Sequence, residues 1–202
     1  MPNAVHASDP KIDASLRHSL KDAAAFATMI GIGETYISAF ALFLKASTPQ
    51  IGLLASLPSL LASFVQLFSA WLGRLTGQRK MIVLIGASVQ AFAWLPLALL
   101  PILFREYALP LLIAAAVVYQ CGAHLSTPQW GSLMGDIVPV RRRGRFFALR
   151  TRIVSLVTFI SLALGGLTLH FLSKKGHTLQ GFFILFGLAM LARLVSVYHL
   201  SK

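Results

Sequence analysis

Met134-Gly135-Asp136-Ile137-Val138-Pro139-Val140-Arg141-Arg142-Arg143-Gly144-Arg145, followed shortly by Arg150 and Arg152, decides how this chain is arranged. Six of its 18 Lys and Arg residues fall between positions 141 and 152. Long apolar runs flank them, residues 108–134 before and 153–172 after. An arginine in the middle of a bilayer costs about 2.5–3.5 kcal/mol even on insertion scales. The stretch is therefore expected in water, as a loop, and the positive-inside rule places that water in the cytoplasm.

The composition supports a membrane protein. Of the 202 residues 56% are hydrophobic and only 12% charged, against about 25% charged in a globular chain. A net charge of +12 would suggest nucleic acid in a soluble protein. Here the basic residues fall between apolar runs rather than along one face, so they read as loop charge and no nucleic-acid partner is expected. The single cysteine, Cys121, lies inside an apolar run and reads as small filler. The first 22 residues hold no apolar core of signal-peptide length.

Six apolar runs reach the roughly 20 residues that a helical span requires. The expected spans are residues 23–44, 51–72, 81–104, 108–134, 153–172 and 179–198, and residues 1–22 form an N-terminal tail. Ile12, Leu16 and Leu20 make a thin stripe in that tail. It reads equally as a helix lying on the membrane surface or as partly ordered chain. Pro49 and the Ser47-Thr48 pair mark the first turn, Arg105-Glu106-Tyr107 a second, and residues 173–178 a third. Pro96 and Pro101 are expected to bend or end the third span. With six spans, both termini, the 73–80 loop and the arginine stretch share one side, which holds thirteen Lys and Arg; the other side holds four. Removing one span would destroy that separation, so the charge supports the count. Both termini are expected in the cytoplasm of a cell with an inner (plasma) membrane.

Polar groups inside the spans are the candidates for chemistry, because burying them in hydrocarbon is costly. Glu34 lies about halfway along the first span and follows Gly31 and Gly33; a desolvated carboxyl there can exchange a proton or hold helices together. His124, with Gln120 one turn before it, is expected near the middle of the fourth span, and Gln66 and Gln90 lie in the second and third. These residues read either as a solute path or as interhelical glue. Arg193 is expected to snorkel toward the cytoplasmic surface, and Trp130 to anchor at the interface. No Cys or His pair has metal-ligand spacing, no glycine loop of Walker type is present, and Gly131-Ser132 lacks an orienting partner. Neither an enzyme nor a cofactor is expected.

Asp136-x-x-Pro139-x-x-x-Arg143-Gly144-Arg145 resembles the loop between the fourth and fifth spans of the major facilitator superfamily, with Arg150 and Arg152 at the basic start of the fifth span. Gly73-Arg74-Leu75 with Arg79-Lys80 is similar to a shortened form of that family's loop between spans two and three, with Thr76 standing in the region of its usual aspartate. The resemblance implies an all-α bundle, the N-terminal half of such a transporter, built from two inverted three-helix repeats. It implies alternating access, with Asp136, Pro139, Arg143, Gly144, Arg145, Arg150, Gly73, Arg79 and Lys80 at a cytoplasmic gate, where Asp136 pairs with Arg145 or Arg150. Because the family has twelve spans, a chain ending after six reads as truncated, or as a half that needs a second half or a second copy of itself. The other reading is a six-span scaffold that transports nothing and tolerates loss of Glu34 and His124. A reporter tag after Phe104 and another after Gly144 are expected to be reached from opposite compartments; labelling from one and the same side would refute the topology.

Overall fold

The computed structural model describes residues 10–103 and 107–202. Among these residues the chain is helical throughout apart from short connections, with no strand. The helices are α1 (Pro10–Ile32), α2 (Ile37–Phe43), α3 (Thr48–Thr76), α4 (Arg79–Phe92), α5 (Trp94–Leu103), α6 (Ala108–Ile137), α7 (Arg143–Lys174) and α8 (Thr178–Ser201). They make six units long and apolar enough to cross a membrane. The first unit joins α1 to α2 through a 3-10 turn at Glu34–Tyr36, and the third joins α4 to α5.

The local sequence accounts for the breaks. Lys45, at φ 62°, ends the first unit. Ser47 then opens α3, its N–H donating to Gln50 Oε1 at 2.8 Å, and Pro49 sits in the first turn, where a missing N–H does no harm. Pro96 has no N–H to give the carbonyl of residue 92, and α4 stops at Phe92. The next bond in the ladder, from Leu97 N to Ala93 O, is stretched to 3.5 Å. Residues 1–9 of the tail, Phe104, and Arg105-Glu106 of the expected turn lie outside the described residues.

The first helix begins at Pro10, so residues 10–22 run into the first span within α1. One expectation is corrected: the arginine stretch is not a long loop. A 3-10 turn at Val140–Arg142 leads straight into α7, so Arg143, Gly144, Arg145, Arg150 and Arg152 are helical. Hydropathy ends where the arginines begin, but helix formation does not: Arg, Leu and Ala are all strong helix formers, and no proline follows Pro139 in this stretch.

The packing has an internal symmetry. α1 packs on α7 and α8, and α6 packs on α3 and α4, while α4 and α5 also meet α8. Exchanging the first three spans for the last three maps each of these contacts onto another. Three spans reverse the chain direction, so the two units are inverted relative to each other. Spans one and four are the hubs. Spans two and five lie at the edges, with 17% and 11% of their central windows covered. Trp94, Tyr119, Phe186, Phe40, Met29, Leu97 and Leu112 fill the core between the hubs. The Trp94 ring lies 5.0 Å from that of Tyr119 and 5.5 Å from that of Phe186, centre to centre.

Where α4 crosses α6 the backbones nearly touch. A Cβ on Gly122 would lie 2.7 Å from Gly86 O and 2.9 Å from Gln90 N. Gly→Ala inside a helix normally stabilises by about 0.5–1 kcal/mol. At Gly122 we expect the opposite sign: Gly122→Ala lowers the unfolding temperature in detergent by several degrees. A raised unfolding temperature would show that the crossing is looser than described.

Candidate functional site

The turn Glu34–Tyr36 interrupts the first span and turns the Glu34 side chain toward α6. Tyr119 donates its hydroxyl to Glu34 Oε2 at 2.7 Å, and Gln120 Nε2 lies 3.4 Å from Oε1. Thr35 returns its hydroxyl to Gly31 O at 2.7 Å, and Tyr36 donates to Leu162 O of α7 at 2.6 Å. The carboxylate thus sits where a broken hub helix meets the other hub, bound to side chains rather than to a helix end. A second polar pair joins α3 to α6, with His124 Nδ1 2.9 Å from Gln66 Oε1. Gln66 is exposed and His124 half-buried.

Gln90 lies beside Tyr119, the tyrosine that bonds Glu34. It is 1% exposed, close against Gly122, and its Oε1 has no protein partner. The five mid-span candidates are thus arranged as Glu34 with Gln120, Gln66 with His124, and Gln90 beside Tyr119, where it also lines the cavity next to Asp22. Tyr119, whose hydroxyl makes the shortest bond to Glu34, carries no sequence signal beyond its position one residue before Gln120.

The end where α1 begins and α8 finishes is held by basic side chains. Arg79 Nη1 donates to Asp136 Oδ2 at 2.7 Å and to Ser132 Oγ at 2.7 Å, tying α4 to α6. This corrects the expected pairing of Asp136 with Arg145 or Arg150. Arg145 and Gly144 are exposed on the first turn of α7, and Arg150 turns inward. Arg143 donates to the carbonyls of Gly135 and, at 3.1 Å, Val138, fixing the corner around Pro139. Lys80 reaches Ser201 O at 2.7 Å, and Arg142 reaches Asp13 at 2.9 Å. Gly73 has no side chain because the Gln129 amide occupies that space, donating to Ser69 O at 2.5 Å.

The strongest electrostatic feature was not foreseen. Asp22 is 2% exposed. Its Oδ1 accepts from Ser196 Oγ at 2.6 Å, and its Oδ2 lies 3.4 Å from Arg150 Nη2. Arg193, 4% exposed, donates to Ser196 Oγ at 2.7 Å. The Arg150 guanidinium lies 4.0 Å from the centre of the Trp130 ring, and that of Arg193 4.9 Å from the Phe26 ring. Arg193 therefore does not snorkel, and Trp130 is a stacking partner of Arg150. The signal lay in spacing: Phe182, Phe186, Ala189, Arg193 and Ser196 recur at helical intervals on the buried face of α8.

Six helices long and apolar enough to cross a bilayer, arranged in two inverted units, define a multi-pass membrane protein of the all-α class. The Major Facilitator Superfamily profile matches residues 23–201, and the chain belongs to that family. Its members are transporters rather than enzymes; they are embedded in lipid and handle small solutes. Comparison with curated proteins and with solved structures finds no match.

Removing one partner from a buried ion cluster strands the others, at a cost of about 3–5 kcal/mol. Asp22→Asn is expected to lose stability on that scale, read as a lowered denaturation midpoint in mild detergent. An unchanged midpoint would mean that the two arginines do not depend on Asp22.

Proposed function

We propose that this protein is a secondary transporter that moves a small polar solute by alternating access, with Glu34 as the group that exchanges a proton during the cycle. The observation that carries this reading is the break at Glu34–Tyr36. It places a carboxylate between the two hub helices, hydrogen-bonded at 2.7 Å to Tyr119. Broken helices near the substrate level are how secondary transporters bring polar groups to a solute. Desolvation disfavours the charged form of carboxyl groups in general, which is how such a group can link a solute's passage to a proton's. Gln120, Gln66 and His124 extend the polar wall along α6 and α3, and Gln90 is the remaining amide in the interior.

In this reading the six spans form one wall of the path, and a second six-helix half or a second copy of the chain forms the other. The arginine-rich end faces the cytoplasm of an inner (plasma) membrane, with both termini on that side. Asp136 and Arg79 form a latch there. Pro139, Arg143, Gly144 and Arg145 shape the corner beside it, with Gly73, Lys80 and Arg150 completing the gate. The exposure of Arg79 and Asp136 supports a latch that opens, because exposed pairs contribute only about 0–1 kcal/mol.

The test uses membrane vesicles that contain the protein and a lumenal pH-reporting dye, challenged with a panel of sugars, amino acids and small organic acids. A solute carried with protons changes the lumenal pH. Glu34→Gln is expected to abolish that change while the protein remains in the membrane. A response at the unaltered rate in Glu34→Gln would remove Glu34 from the coupling.

A further inference from the structure

A second polar site lies on the other side of Tyr119 from Glu34. A cavity of about 300 Å³ opens between α1, α4, α6, α7 and α8, and Asp22, Phe26, Gln90, Trp130, Arg150 and Arg193 line it. Four polar atoms of its walls are buried without a protein partner: Arg150 Nε, Arg193 Nε, Trp130 Nε1 and Gln90 Oε1. Buried polar groups are nearly always satisfied, so each such atom needs an explanation. Three of the four are donors.

The charge points the same way. Arg150 and Arg193 each carry one positive charge and Asp22 one negative, leaving one uncompensated in a site where Asp22 and Arg193 are 2% and 4% exposed. The two guanidinium groups lie over the rings of Trp130 and Phe26, and their Nε–H groups remain for a ligand. Asp22 already accepts from Ser196 at 2.6 Å and faces Arg150 at 3.4 Å.

We infer that this cavity binds a small hydroxylated monocarboxylate. One negative charge balances the site; a doubly charged phosphate would overshoot it. A carboxylate has about four lone-pair sites and can take the two Nε–H groups and the indole N–H together. Its hydroxyl supplies the donor that Gln90 Oε1 lacks. Chloride matches the charge but leaves Gln90 unsatisfied. At about 30 Å³ per water the cavity has room for about ten waters, enough for such a molecule and the waters that accompany it.

Calorimetric titration of the purified full chain in detergent, in chloride-free buffer, tests this without any transport assay. The probes are glycolate, its neutral counterpart glycolamide, acetate, inorganic phosphate and chloride. Glycolate is expected to bind saturably at one site. Acetate should bind more weakly, glycolamide not at all, and phosphate and chloride more weakly than glycolate. Trp130→Phe keeps an aromatic ring beneath Arg150 but removes the indole N–H together with part of the bicycle, and is expected to weaken glycolate binding at least about tenfold. Gln90→Leu is expected to erase the preference for glycolate over acetate. The inference fails if glycolamide titrates like glycolate, if phosphate or chloride binds more tightly, or if Trp130→Phe binds glycolate with unaltered affinity.

Discussion

Lipid tails are as apolar as leucine, so in a bilayer a helix gains little by exchanging lipid contacts for contacts with another helix. Every helix pair in this bundle must be held by something lipid cannot offer. The structure uses two devices. Small residues let backbones approach, as at the Gly86–Gly122 crossing of α4 and α6. Buried side chains donate to carbonyls of neighbouring helices, as Ser126 does to Val83 O at 3.0 Å and Ser69 to Leu125 O at 2.7 Å. Both concentrate on the hub helix α6, which has to hold α3 and α4 at once. At the other hub, α1, Asp22 binds Ser196 of α8 and faces Arg150 of α7.

That carboxylate shows why a buried charge can be retained where an apolar residue would pack more simply. A buried ion pair adds little net stability over a hydrophobic substitute, but it is specific. Asp22 meets Ser196 and Arg150 in one register only. Sliding α8 by one turn relative to α1 would leave Arg193 and Asp22 without their shared serine. The stacking of Arg150 on Trp130 extends the same constraint to α6. One cluster thereby ties both hubs and both helices that flank α1.

Much of this was legible in the sequence, and the parts that were not share one cause. Apolar length located the six crossings, and the prolines located the break in the third. The charge pattern marked the arginine stretch as a break between two apolar runs, and the structure turns the chain there at residues 138–142. Hydropathy cannot report which face of a helix a residue occupies. Asp22, one residue before the apolar run, read as tail; Arg193, near a span end, read as snorkelling. Both are buried because their helical faces point inward, which only the register of Phe186, Ala189 and Ser196 around Arg193 could have indicated. The helical Arg143–Arg152 segment was missed for the converse reason, since charge ends a hydropathic span without ending a helix. Among the polar candidates, the sequence supplied Glu34 and Gln120 as residues but not their meeting, which depends on the turn at Glu34–Tyr36.

The distribution of burial also separates what is rigid from what can move. The Asp22 cluster is out of water, so breaking it costs several kcal/mol, and it fixes α1, α7 and α8 as one body. The pairs Arg79–Asp136 and Arg142–Asp13 are substantially exposed at the surface of the arginine-rich end. Such pairs form and break for about 0–1 kcal/mol and weaken with salt. The alternating access proposed above asks for this division: interior ties that hold a unit's shape, and rim contacts weak enough to change partners.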